Sequence, residues 1–225
     1  AQTVEIQERI SSDGRVLIEP AEAQIRDALA SMQAAGITSL AICLLNAYRD
    51  DRHEVLVERI AREMGFDEIS RSCQVSPLIK MVSRGNTTVV DAYLNPVLQA
   101  YGERLQGSLG AGSAVRLLTS AGGLVNPSRF SGKDSILSGP AGGVVGFSRV
   151  AQAAGFERAI GFDMGGTSTD VSRFDGTFEL EFETQKAGVN IVAPTLAIET
   201  VAAGGGSVCW FDGVKLCVGP QSAGA

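Results

Sequence analysis

The sequence predicts an α/β protein, and three observations carry that prediction. Apolar runs and helical repeats alternate in the order β, α, β, α, β through residues 1–75. A stretch crowded with glycine and other small residues at 138–146 reads as the start of a closely packed helix. A strand, a glycine turn and a returning strand follow over 159–174, and the chain stays β-rich beyond them.

Each element has its own signal. Val4 to Ile10 and Arg15 to Ile18 flank Ser12-Asp13-Gly14 and read as a hairpin. Pro20 opens a helix with Ile25, Leu29 and Met32 at helical spacing and Gly36 as its stop. Residues 37–45 form a continuous apolar run, which predicts a strand buried on both faces, with Cys43 in it as a small hydrophobe. A second helix is predicted over 50–64, with Leu56, Ile60 and Met64 on one side and Gly65 at its end, followed by a strand over 67–75. Asn86 is predicted to cap a helix that runs to Tyr101 and kinks at Pro96. A short strand at 115–119 leads into a glycine-rich loop at 121–127. The helix from Ser138 should end at Gly155, and its small residues imply close backbone packing or an interdomain hinge. Further strands are predicted at 189–193, 196–201, 207–211 and 214–218.

The most informative stretch is 161–172, Gly-Phe-Asp-Met-Gly-Gly-Thr-Ser-Thr-Asp-Val-Ser. A strand ends at Asp163, and Gly165 and Gly166 let the backbone turn sharply and approach an anion closely. Thr167, Ser168 and Thr169 add hydroxyls beside exposed amides, and Asp170 supplies a second carboxylate. Such a loop offers amides and hydroxyls to phosphate oxygens and carboxylates to a hydrated Mg²⁺, with no lysine. The alternative, a tight turn capped by threonines, explains the glycines but not the two carboxylates around them. The glycines lie between two strands, unlike the glycine loops that open a helix in Rossmann and P-loop folds. The next turn, Asp175-Gly176, predicts a hairpin whose returning strand buries Phe178, Leu180 and Phe182 on one face. Ala202-Ala203-Gly204-Gly205-Gly206-Ser207 reads on spacing alone as a flexible turn.

Composition narrows the classes. At 225 residues and 44% hydrophobic content the chain can bury a substantial core. A formal net charge of −6, with no basic run, argues against nucleic-acid or membrane-surface partners. No apolar stretch approaches a membrane span and none reads as a signal peptide, so a cytoplasmic protein is expected. Cys43, Cys73, Cys209 and Cys217 show no zinc spacing and are expected to be reduced thiols, although the last two flank a predicted turn. His53, the single histidine, is expected on a solvated helix face, which leaves little for a Ser-His-Asp triad or a zinc centre. Lys80 and Arg84 read as surface charges on a connecting segment. The chain starts without methionine and stops in a run of small residues, as an internal fragment would.

Taken together, residues 138–146 and 161–172 resemble the connecting helix and second phosphate loop of the actin, Hsp70 and sugar-kinase ATPase superfamily. More narrowly they resemble the hydantoinase A and 5-oxoprolinase family. Further blocks in the same order extend the likeness over nearly the whole chain: Val75-Ser76-Pro77, residues 83–88, Asp91-Ala92-Tyr93-Leu94-Asn95-Pro96, Ala121-Gly122-Gly123-Leu124, residues 200–207 and residues 218–225. Residues 170–173 and 200–207 look closer to 5-oxoprolinase than to hydantoinase proper, where a histidine usually stands in place of Glu199. The resemblance implies an incomplete actin-like, ribonuclease H-like fold, two lobes joined by a glycine-rich helix. Residues 1–137 would end the N-terminal lobe, and 138–225 would begin the ATPase core. It implies ATP-dependent phosphorylation of the amide oxygen of a small cyclic amide, 5-oxoproline or a hydantoin. A B-type hydrolase subunit or domain would then open the ring, in an oligomer.

On this resemblance Gly165, Gly166, Thr167, Ser168 and Thr169 would contact phosphate, and Asp163 and Asp170 would act in catalysis and hold Mg²⁺ or its waters. Gly139 to Gly143 would form the hinge, and Gly204, Gly205 and Gly206 would line either the nucleotide or the substrate. The family's first phosphate loop and its adenosine element do not occur in these residues, so the chain alone is expected to bind ATP poorly and to be inactive. The alternatives are the ATPase subunit of an acetone- or acetophenone-type carboxylase and a chaperone-like reactivating ATPase.

Overall fold

The computed structural model describes residues 2–110, 112–186 and 188–224. The chain is mixed α/β and divides into two compact units. The first comprises Ala1–Arg116, Asn126–Lys133 and Phe182–Ala193, and the second Leu117–Val125, Asp134–Glu181 and Pro194–Ala225. Among the described residues no helix is long and apolar enough to cross a membrane.

In the first unit, Arg9–Ile10 and Val16–Ile18 form the expected hairpin. Helix Glu22–Ala34 follows, then strand Ser39–Ile42, helix Arg52–Glu63 and strand Glu68–Arg71. The two strands pair in parallel, Leu40 opposite Ile69, as a helical crossover requires. Gly36 and Gly65, at φ 75° and 88°, end the two helices in the left-handed region that L side chains avoid. Ile25, Leu29, Leu40, Val57, Ile60 and Phe66 meet in one core.

Several expectations change here. Strand Ser39–Ile42 is not apolar on both faces. Leu40 and Ile42 are buried, Ala41 is exposed, and Ser39 donates to the Ala92 carbonyl at 2.5 Å. The second strand stops at Arg71, because buried Glu54 accepts from the Ser72 hydroxyl at 2.5 Å and the Cys73 amide at 3.1 Å and coils Ser72–Val75 into a helical turn. His53 is 2% exposed rather than solvated, its Nδ1 lying 2.7 Å from Glu8 and its Nε2 3.2 Å from Glu19. A histidine between two carboxylates ties the entering chain to the helix. Cys43 is half-buried.

The long helix runs from Met81 to Ser108 and contains Pro96, so Asn86 lies inside it and caps nothing. Its early start follows from Arg84, which is fully buried rather than at the surface. The guanidinium donates to the carbonyls of Leu78 (2.7 Å), Leu45 (2.9 Å) and Leu44, and stacks 5.7 Å from the Tyr48 ring centre. Lys80 is exposed as expected and pairs with Glu183 at 2.6 Å. Two turns beyond Arg84, Asp91 accepts from the Lys133 amide (3.0 Å), the Ser70 hydroxyl (3.1 Å) and the Asn95 side chain (3.1 Å). Asn95 in turn accepts from the Gly132 amide at 2.7 Å. The Asp91-to-Pro96 block is thus a bracket that holds a glycine loop. A Cβ on Gly132 would lie 2.8 Å from the Asp91 carbonyl oxygen.

In the second unit the glycine-rich helix spans Ser138–Ala153, as expected. Its Ala141 and Val144 pack with Leu196 and Ile198 in a small core. Strands Ala159–Met164, Thr169–Phe174 and Glu199–Val201 form an antiparallel sheet with Thr169–Phe174 in the middle. The hairpin expected at Asp175-Gly176 is reduced to one bridge, Phe174 to Phe178. Leu180–Glu181 pairs instead with Thr195–Leu196, and Leu180 and Phe182 are exposed, so the predicted buried face does not form among the described residues. Ser207–Phe211 and Leu216–Ser222 make a separate hairpin.

Candidate phosphate site

The sheet presents a row of three polar side chains across its strands. Asp163 is directly opposite Asp170, and Asp170 is directly opposite Thr200. Two positions along, Gly161 faces Ser172. Gly161 is glycine for a reason, since a Cβ there would overlap the Phe147 ring of the glycine-rich helix. That contact seats the helix on the carboxylate face, and a Cβ on Gly143 would lie 3.9 Å from Asp163 Oδ2. A cleft of about 220 Å³ opens between them, lined by Gly143, Val144 and Phe147 on one side and Asp163, Asp170 and Ser172 on the other.

Facing carboxylates repel when nothing lies between them. Asp170 is half-buried and accepts one hydrogen bond, from the Thr200 hydroxyl at 2.8 Å. Asp163 is exposed, with no protein donor among the described residues. Among those residues no group of three or more His, Cys, Asp or Glu side chains is placed to hold a metal ion. Two aspartates and a cleft therefore fit a cation that brings further ligands of its own, such as water or phosphate oxygens.

The turn beside this row is bound on one side only. Gly165 donates to the Ser168 carbonyl at 2.9 Å. The carbonyls of Gly165 and Gly166 accept from the amides of Gly205 (2.9 Å) and Gly206 (2.7 Å). Among the described residues, the amides of Gly166, Thr167 and Ser168 and the hydroxyls of Thr167 and Ser168 have no protein acceptor. Thr169 differs, because its buried hydroxyl donates to the Ala203 carbonyl at 2.6 Å.

The three glycines at 204–206 are thus no flexible turn. A Cβ on Gly204 would lie 2.6 Å from the Gly165 oxygen and 2.8 Å from the Ser168 amide nitrogen, so glycine is needed there for close approach. The structure brings Asp163, Asp170, residues 165–169 and residues 204–206 into one place. Sequence reasoning missed the Thr200 contact, and only strand register could have revealed it.

Other candidates fall away on geometry. Cys209 faces Val218 and Cys217 faces Trp210, so the two cysteines sit in adjacent pairs on opposite faces of the hairpin, and all four cysteines are free. Asp212 is held below the usual carboxylate range by the amides of Lys215 and Val214, which marks it as a turn former.

The model of the hydantoinase/oxoprolinase N-terminal region matches residues 1–65, and that of hydantoinase/oxoprolinase matches residues 84–225. The chain belongs to the hydantoinase/oxoprolinase family. The 5-oxoprolinase of Saccharomyces cerevisiae is 47% identical over 215 residues, covering 94% of this chain and 17% of the yeast protein. The crystal structure of the ATP-dependent caprolactamase from Pseudomonas jessenii superposes with a TM-score of 0.87 at 33% identity, over 98% of this chain and 33% of that one. A nucleotide-free structure of acetone carboxylase gives 0.77 at 26% identity, over 97% of this chain and 32% of that one. This member of the family, as given, spans about a sixth of the length of the yeast relative.

Proposed function

We propose that this chain is the phosphate-handling part of an ATP-dependent enzyme that opens a cyclic amide, with conversion of 5-oxoproline to glutamate as its reaction. The observation that carries this reading is a turn whose carbonyls are tied down and whose amides at Gly166, Thr167 and Ser168 are not, set beside facing Asp163 and Asp170. The 47% identity to a 5-oxoprolinase supports the substrate, and the caprolactamase likeness supports a ring amide as the class.

An amide oxygen is a poor nucleophile, so activating it demands positioning and charge stabilisation. In this reading the three turn amides and the hydroxyls of Thr167 and Ser168 orient phosphate oxygens. Asp163 and Asp170 hold Mg²⁺ or its waters, and Mg²⁺ when bound neutralises phosphate charge. Thr169 and Gly204 to Gly206 back the turn, because their donors are already committed. The wider proposal is an actin-like ATPase, with 1–137 ending one lobe, 138–225 beginning the core and the glycine-rich helix joining them. A B-type hydrolase part, an oligomer and a cytoplasmic setting belong to the same proposal.

In the full-length protein, ATP turnover should depend on 5-oxoproline and not on acetone or a protein client, and Asp163→Asn or Thr167→Val should lower it at least about tenfold. Turnover with acetone alone would replace the cyclic amide by a ketone. Unchanged turnover in both variants would reduce residues 161–172 to an ordinary turn.

A further inference from the structure

The structure assigns Thr200 as a positioning residue for Asp170: its hydroxyl fixes the carboxylate in the orientation in which it faces Asp163 and the cleft. The inference rests on the reading of the two aspartates as holders of Mg²⁺.

Thr200 stands directly opposite Asp170 in the strand pair and donates to Oδ1 at 2.8 Å. A hydroxyl has a single hydrogen, so this bond uses the whole donor capacity of the side chain. Rotation of the carboxylate about its last torsion is soft on its own, because an sp³–sp² torsion has a broad well. Pinning Oδ1 leaves Oδ2 as the oxygen without a protein donor among the described residues, and Asp170 lines the cleft. Thr200 is β-branched, which restricts its own first torsion and stiffens the support.

The strand that carries Thr200 is held in register from its far end. Val201 is opposite Thr169, the Thr169 hydroxyl reaches the Ala203 carbonyl at 2.6 Å, and the amides of Gly205 and Gly206 bind the turn carbonyls. A slip of one residue would set Glu199 or Val201 opposite Asp170, that is, a third negative charge or no donor at all. The same strip that backs the phosphate turn therefore delivers one hydroxyl to one carboxylate. This gives residues 199–206 a single role, in which turn and metal-holding row are aligned together.

The test uses the full-length protein with Thr200→Val, which keeps the branch and removes the hydroxyl, and Thr200→Ser, which keeps the hydroxyl. Mn²⁺ binding in the presence of ADP is read by loss of the free-ion electron paramagnetic resonance signal. The Mg²⁺ dependence of ATP turnover is read alongside it. Thr200→Val should weaken Mn²⁺ binding and raise the Mg²⁺ needed for half-maximal turnover, each by about fivefold, as loss of one solvent-exposed hydrogen bond of ordinary strength implies. Thr200→Ser should restore both, and the KM for 5-oxoproline should stay unchanged in each. Should Thr200→Val fold poorly, Thr200→Ala supplies the same comparison. Wild-type metal dependence in Thr200→Val overturns the inference, as does an equal loss in Val and Ser variants accompanied by a lowered Tm. The two readings separate through Asp170→Asn. If that variant loses metal binding while Thr200→Val does not, only the role of Thr200 fails. If Asp170→Asn leaves metal binding intact, the reading of the aspartates fails first.

Discussion

The chain contains two sites where a carboxylate lies close to glycine amides, and they are used in opposite ways. In the first unit Asp91 accepts from the Lys133 amide, the Ser70 hydroxyl and the Asn95 side-chain amide, and Asn95 accepts from the Gly132 amide. Every oxygen named there has an internal donor, and Asp91 is buried. In the second unit Asp163 is exposed, and the turn amides of Gly166, Thr167 and Ser168 have no protein acceptor among the described residues. The first arrangement has the character of scaffold, because a buried polar group must find its partner within the fold. The second leaves donors and charge for something outside the chain. Residue type does not separate the two; the partners do.

The comparison breaks most clearly on stability. Asp91→Ala should destabilise the full-length protein by about 2–3 kcal/mol in urea unfolding, since it removes a buried charged acceptor shared by the Ser70 hydroxyl, the Asn95 side chain and the Lys133 amide. Asp163→Ala should change stability by less than about 0.5 kcal/mol. Equal losses would erase the distinction between scaffold and site. Next in size, Gly204→Ala should cost about 1–2 kcal/mol and lower ATP turnover, because its methyl would press on the Gly165 oxygen that aligns the turn. An unaltered melting curve would show that the strip yields without effect.

Smaller effects sharpen the picture of the first unit. Burial, with Glu54 beside it, pushes the Cys73 thiol up to about 12, so it should stay protonated and escape iodoacetamide at pH 8 while exposed Cys209 is alkylated. Mass spectrometry of the labelled peptides decides this. The smallest effect concerns Glu183, whose carboxyl Lys80 holds below the usual range. A depressed folded value means its stabilising contribution is complete above the ordinary glutamate range and disappears as pH falls through the lowered value. Lys80→Met should therefore lose slightly less Tm than wild type between pH 6 and pH 3. An identical acid limb would show that the exposed pair contributes nothing, a common outcome for surface ion pairs.

Much of this was legible in the residues. Helical spacing with glycine stops located Glu22–Ala34, Arg52–Glu63 and Ser138–Ala153. The strand, glycine turn and strand at 159–174 followed from local chemistry, because turn geometry is decided within a few residues. The errors were of another kind. His53 and Arg84 were expected in solvent, since a lone charge carries no sign of the partners awaiting it. In the structure Glu8, Glu19 and the carbonyls of Leu44, Leu45 and Leu78 make their burial tolerable. Phe178, Leu180 and Phe182 alternate as a buried strand does, yet alternation specifies a face and not what covers it.

The sequence by itself determined the α/β class, the family and the glycine turn between two strands, because periodicity, glycine placement and ordered motifs are properties of neighbours along the chain. Only the tertiary structure decided which polar groups remain available. It tied the Thr169 hydroxyl to Ala203 and the amides of Gly205 and Gly206 to the turn carbonyls, and it set Thr200 against Asp170. The physical reason is that a hydroxyl donor can be committed once, and its acceptor here lies some thirty residues away: Ala203, 34 residues from Thr169, and Asp170, 30 residues from Thr200.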